Sequence, residues 1–207
     1  MRLPDRGWLQ AQYASADPVH DFAHIERVVR LAEQIAQAEG ADVTIVTAAA
    51  WLHDLPGVAR GDHHRASAAT AEGVLRELGW PDAAAQAVAD CIRTHRFRVA
   101  EGGPQTLEAQ CLFDADKLDA IGAIGVARAV VYAALHGAPF YARPSAQFLE
   151  TGTRAVDELH SAYHEYWAKL RHIVGRLYTP TGRALGAQRQ AAMDAYFVAL
   201  AAEMGGE

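Results

Sequence analysis

Helical spacing constrains this sequence more than any other feature. From Asp17 it reads DPVHDFAHIERVVRLAEQIAQAEG, with Ile25, Val28, Val29, Ala32, Ile35 and Ala36 three and four residues apart and Gly40 as the stop. That is the pattern of an amphipathic helix with one stripe to bury. The same reading places helices over 42–55, 64–78 and 81–96, with Pro81 near the first turn of the last. After the loop VAEGGPQ a helix is expected over 106–135, broken near the glycines of AIGAIG, and HGAPFYARPSAQ reads as a surface excursion. Two long helices complete the chain. Leu159, Tyr163, Tyr166, Leu170, Ile173 and Leu177 form a seam along the first, and Thr179 with Pro180 caps the start of the second. β-branched alternation is absent, so the expected fold class is all-α, a helical bundle.

With 207 residues, 51% of them apolar, the chain can bury one sizeable core, and residues 1–207 are read as a single domain. A formal net charge of −6 argues against a surface that coats nucleic acid and favours a small ligand over a polymer. No apolar run approaches the ~20 residues of a membrane span. The start MRLPDRGWLQ lacks the apolar stretch of a signal peptide, so a cytoplasmic protein with no membrane partner is expected. Cys91 and Cys111 are too far apart for a CxxC motif and read as buried apolar residues.

One stretch sits badly with this plan. IVTAAAWL, 45–52, is a run suited to burial, yet His53 and Asp54 follow it directly, before Pro56 and Gly57. An ionised carboxylate is costly to bury unless something pairs with it. Adjacent helical residues project to different faces, but at a last turn both can lean toward one point beyond the helix end, and a divalent cation there would answer both. Two further stretches supply ligand types at core-facing positions. His24 lies on the apolar edge of its helix with His20 four residues before it, and Asp116 and Asp119 share a face in LFDADKLDAIG while Asp114 points elsewhere. Singly, such residues are most often hydrogen-bonded structure or helix caps. Together they offer two imidazoles and two carboxylates from three helices, a coherent set for one ion of Mn, Mg, Fe or Co type. His20 and Asp21, a second His-Asp pair, read as helix-start residues, with Asp21 meeting orphan amides. His160 and His164, four apart, lack a supporting acid in the sequence pattern and read as structural.

The order His24, His53-Asp54, Asp116 resembles the H...HD...D signature of the HD-domain metal-dependent phosphohydrolases. The flanking text HDFAHIERV, AAAWLHDL, IRTHRF, LFDADKLDAIGAIGVAR and TPTGRAL is similar to their small single-domain bacterial subgroup over nearly the whole chain. The resemblance implies an HD-type bundle with the metal-site core at about 17–136 and C-terminal helices at about 153–204 packing on it. It implies His24, His53, Asp54 and Asp116 as metal ligands, with two catalytic residues acting in turnover: Asp119, either behind the ligands or as an acid-base group, and His95, facing the phosphate or the leaving group. Lys117, Arg96 and Arg128 become candidate phosphate contacts. One departure stands out. Some nucleotidase members carry a glutamate shortly after the His-Asp pair, where this chain has Leu55, Pro56, Gly57 and Val58, leaving Asp119, His64 and His95 to position water.

The expected activity is metal-dependent hydrolysis of a phosphate ester or anhydride in a small molecule (EC 3.1 or 3.6), with nucleoside mono- or triphosphates the first substrate class by resemblance. A homodimer is compatible with the sequence. Two other classes stay open: a sensor or interaction module whose ion serves structure, and a di-metal HD-type oxygenase. A closed coordination sphere would mark the first and two metals the second.

Overall fold

Side-chain caps explain where most of the helices begin. In this computed structural model, which describes residues 1–14, 21–55, 63–96 and 103–205, the first helix, α1, spans Arg6–Gln12, and Asp5 accepts the Trp8 amide at 2.9 Å. The helix α2 is Phe22–Glu39, begun by Asp21, which accepts the His24 amide at 2.9 Å. Its stripe of Ile25, Val28, Val29, Ala32, Ile35 and Ala36 is buried, as the spacing predicts. Asp42 caps α3, Val43–Leu52, which buries Ile45, Val46, Ala48, Ala49, Ala50 and Leu52. Next come α4, His63–Glu77, and α5, Asp82–Thr94. The alanines of α3 keep its surface low where α2 and α5 pack on it.

The helix expected over 106–135 divides into α6, Leu107–Asp119, and α7, Gly122–Leu135. Gly122 takes φ 77°, where a Cβ would also press on Arg189 Cβ at 3.0 Å, so the break needs this glycine. The chain forms two compact units: Met1–Lys117 with Leu177–Gly182, and Leu118–Arg176 with Arg183–Glu207.

Within the first unit the segment 177–182 is held by Asp114. This fully buried carboxylate accepts the Tyr178 amide (2.9 Å), the Thr179 amide (2.7 Å) and the Thr179 hydroxyl (2.7 Å). Thr179 in turn accepts the Gly182 amide at 2.9 Å, and Glu39 accepts the Thr181 amide at 2.7 Å. A side chain at Gly182 would overlap Asp114 Oδ2 and lie 2.7 Å from Thr179 Oγ1, so only glycine fits.

The second unit departs from the sequence reading. The single long helix expected through Leu159 and Leu177 is absent. Two short helices appear, α8 (Ala146–Thr151) and α9 (Ala162–Ala168), followed by 3-10 turns at Leu170–His172 and Val174–Arg176. Ser161 starts α9 by accepting the His164 amide, and Lys169 leaves helical conformation at φ −135°, ψ −55°. A 3-10 turn repeats every three residues, so Leu170 and Ile173 fall on one side with or without a continuous α-helix. Apolar spacing of four and three therefore does not separate the two, and Leu159, expected in the seam, is 64% exposed. The last helix, α10, spans Pro180–Glu203 with Thr179 at its start. Among the described residues there is no strand, and no single helix is long and apolar enough to cross a membrane.

Candidate metal centre

Four helices of the first unit converge here. The opening turn of α2 carries His24, the end of α3 gives way to His53 and Asp54, α6 carries Asp116, and His95 follows the last residue of α5. Ligand atoms of His24, His53 and Asp54 all lie within 4.8 Å of one another. His24 Nε2 is 3.9 Å from Asp54 Oδ2 and 3.7 Å from Asp116 Oδ1, and His53 Nε2 is 3.7 and 4.0 Å from the same two atoms. These separations exceed hydrogen-bond length. They suit donors around one ion, since ligands ~2.1 Å from a cation stand about 3 to 4 Å apart.

Local hydrogen bonds set which ring nitrogen faces the centre. His53 Nδ1–H donates to the Ala50 carbonyl at 2.8 Å, which leaves the lone pair on Nε2, and buried Nε2 has no hydrogen-bond partner. An orphaned buried nitrogen aimed at two carboxylates fits a cation that would complete it. His95 repeats the device: Nδ1–H donates to the Ile92 carbonyl at 2.6 Å, while Nε2 stands 3.7 Å from Asp54 Oδ1 and the ring 5.3 Å from that of His53. Burial pushes the His53 imidazole down to about 4 against the pull of Asp54 and Asp116, so it is neutral near pH 7 and able to ligate. Burial works to raise Asp54 and Asp116. Surrounding positive groups, His53 first at Asp54 and Lys117 first, then the imidazoles, at Asp116, outweigh it and hold both carboxyls well below the usual range.

Exposure is lopsided. The side chains of His24 and His53 are 1% and 0% exposed, whereas those of Asp54 and Asp116 are 23% and 16% exposed. The imidazoles form a closed floor and the carboxylates border solvent, so an ion held there has a side open to water or a ligand.

The structure sorts the remaining candidates. Lys117 is ion-paired with Asp116 and lies over the Phe113 ring at 5.3 Å, and half-buried Arg96 follows His95. Asp119 belongs to the second unit, is fully buried, and accepts from Arg128 Nη1 at 2.8 Å, the same nitrogen meeting its backbone carbonyl at 3.1 Å. His64 is buried on α4. His20, Pro56, Gly57 and Val58 lie outside the described residues. The acid expected to be missing beside His164 is present: fully buried His164 places Nε2 3.0 Å from Glu158 Oε1 and Nδ1 2.7 Å from the Ser161 hydroxyl. Sequence reading also passed over Tyr13, whose hydroxyl donates to the Trp51 carbonyl at 3.1 Å. A backbone acceptor 38 residues away leaves no trace in residue types.

Residues 21–121 match the family model of the HD domain. YpgQ of Bacillus subtilis is 33% identical over 187 residues, 89% of this chain and 84% of YpgQ. The chain belongs to the HD-domain family. Membership implies a divalent cation, and every residue of the H...HD...D pattern falls inside the matched HD segment, as do His95, Arg96, Lys117 and Asp119; Arg128 falls beyond it. This HD-domain structure is similar to the crystal structure of YpgQ in complex with ADP, with a TM-score of 0.74 and 32% identity over 96% of this chain and 94% of that one. It is also similar to a protein of Lactobacillus plantarum (TM-score 0.76, 29% identity, 96% and 94%). A third likeness is to a predicted HD superfamily hydrolase of an uncultured Thermotogales bacterium (TM-score 0.66, 25% identity, 98% and 95%).

Proposed function

We propose that this HD-domain hydrolase is a metal-dependent phosphohydrolase of small molecules, with nucleotides as its substrate class and residues 1–207 acting as one domain in the cytoplasm. The observation that carries the reading is the orphaned Nε2 of His53 facing Asp54 and Asp116. His24, His53, Asp54 and Asp116 would hold one ion of Mn, Mg, Fe or Co type, which all accept mixed imidazole and carboxylate donors. When bound, such an ion polarises a phosphoryl oxygen and lowers the pKa of a water.

The protein's own groups do the rest. His95 keeps a hydrogen on Nδ1 through the Ile92 carbonyl, so its Nε2 can take up or release a proton beside Asp54. Lys117 turns from Asp116 to meet phosphate oxygens, with Arg96 beside it. Asp119 and Arg128, salt-bridged to one another, act in turnover as a pair: the carboxylate orients the guanidinium that would meet phosphate. The ADP held by the related YpgQ supports a nucleotide as the first substrate to try, and the solvent-bordered carboxylates favour turnover over a structural ion.

The test is metal content by elemental analysis, followed by a hydrolysis screen over nucleoside mono-, di- and triphosphates, simple phosphomonoesters and cyclic dinucleotides with each metal. Release of phosphate or pyrophosphate from a nucleotide is expected. Bound metal without hydrolysis of any compound would favour a sensor, and two ions per chain the oxygenase class.

A further inference from the structure

The last turn of α3 leaves backbone carbonyls without helical partners, and His53 and Asp54 follow immediately. Two successive carbonyls there are nonetheless fixed. That of Ala50 accepts His53 Nδ1–H at 2.8 Å, and that of Trp51 accepts the Tyr13 hydroxyl at 3.1 Å. Tyr13 closes the end of α1, is 5% exposed, and packs its ring 6.0 Å from Phe22, which in turn stacks on Trp51 at 5.8 Å. Phe22 and Trp51 each stand two residues before a histidine of the centre, His24 and His53. The three rings therefore tie α1 to both helices that bring imidazoles to the ion.

We propose that Tyr13 is a positioning residue of the metal centre, its hydroxyl holding the end of α3 so that His53 and Asp54 present their ligand atoms to the ion. Tyr13 lies outside the segment 21–121 that matches the HD domain, so the motif does not specify this brace. Burial, with the negative charge of Asp54 adding to it, pushes the phenol far above its ordinary value and keeps the O–H as a donor. Without that donor the Trp51 carbonyl is released at the point where the ligand pair leaves the helix. Groups that orient metal ligands from behind change metal affinity by about 10–100-fold when removed.

The proposal rests on the metal reading above, and one experiment separates them. Full-length wild type, Tyr13→Phe and Tyr13→Leu are stripped with chelator and titrated with Mn2+, free ion being followed by electron paramagnetic resonance. Thermal melting of each metal-free protein is recorded alongside. Tyr13→Phe, which keeps the ring, is expected to bind Mn2+ about 10–100-fold more weakly while melting close to wild type. Tyr13→Leu should bind at least as weakly and melt earlier. Wild-type binding matched by Tyr13→Phe overturns the proposal alone, as does weaker binding that only tracks an equal loss of melting temperature. A wild type that binds no Mn2+ overturns the metal reading and this proposal with it.

Discussion

Among the described residues, buried histidine stands beside carboxylate at His164 and again at His53, and the imidazole nitrogens meet different fates. At His164 both nitrogens are engaged, one 2.7 Å from the Ser161 hydroxyl and the other 3.0 Å from Glu158. Glu158 is saturated as well, accepting the Ser145 amide and hydroxyl and the Ala155 amide. At His53 one nitrogen is engaged by a carbonyl of its own helix, while the other faces two carboxylates at 3.7 and 4.0 Å with no hydrogen bond. Imidazole meets carboxylate in both, but at His164 the separation is that of a hydrogen bond, whereas at His53 it is the ~3 to 4 Å that donors keep around a shared ion. Closed polar networks rigidify a fold, whereas a cluster held open under cover is poised for a ligand.

Substitution should break this contrast most sharply at its centre. His53→Ala or Asp54→Ala is expected to abolish metal binding, read by elemental analysis, while His164→Ala leaves metal content at the wild-type level and lowers the melting temperature. Loss of metal in His164→Ala would erase the distinction between the clusters. A smaller effect is expected at His95, where the alanine variant should retain metal and lose about a hundredfold in kcat. Asp119→Asn, measured the same way, asks whether the Asp119–Arg128 pair takes part in turnover, in which case kcat falls by a similar factor with metal retained.

The carboxylate of Asp114 extends the comparison, because it is saturated like Glu158 but sits on the helix that also carries Asp116. Gly182→Ala, which crowds Asp114 and Thr179, should cost about 1–3 kcal/mol by chemical denaturation, the range for forcing atoms into a packed site. Acid gives the mildest probe. Burial works to raise Glu158, but the hydrogen bonds from His164, Ser145 and the Ala155 amide outweigh it and hold the carboxyl at about 2 against an ordinary 4.5. Its contribution is thus complete above about pH 4.5 and is lost as the pH falls toward 2. Hydrogen exchange over residues 145–164 should rise across that window in wild type, and Glu158→Gln should flatten the rise.

What the sequence discloses follows the reach of each interaction. Helices α2 to α5 are written in local spacing, α2 and α3 in side-chain caps as well, and Thr179-Pro180 announces α10. The shared residue pattern of His24, His53, Asp54 and Asp116 is legible for the same reason: a buried charge is conspicuous on an apolar stripe. The break of the expected helix around 159–177 was hidden because 3-10 and α turns share a three-residue recurrence of apolar positions. Glu158 was hidden as the partner of His164 because it lies in a non-helical stretch, where helical offsets do not apply. The Arg128 partner of Asp119 was hidden because helical offsets pair Asp119 with Asp116 and are blind to an arginine nine residues on.

The clasp at Asp114 also bears on the order in which this protein is finished. A chain emerging from the ribosome has completed the whole of α2 to α6 before Tyr178 and Thr179 are synthesised, 64 and 65 residues after the aspartate they bind. Until then the carboxylate lacks three of its donors, and closing it into an apolar interior is unfavourable. The early part of the chain therefore waits on a late one: completion of the first unit is timed by the arrival of residues 177–182.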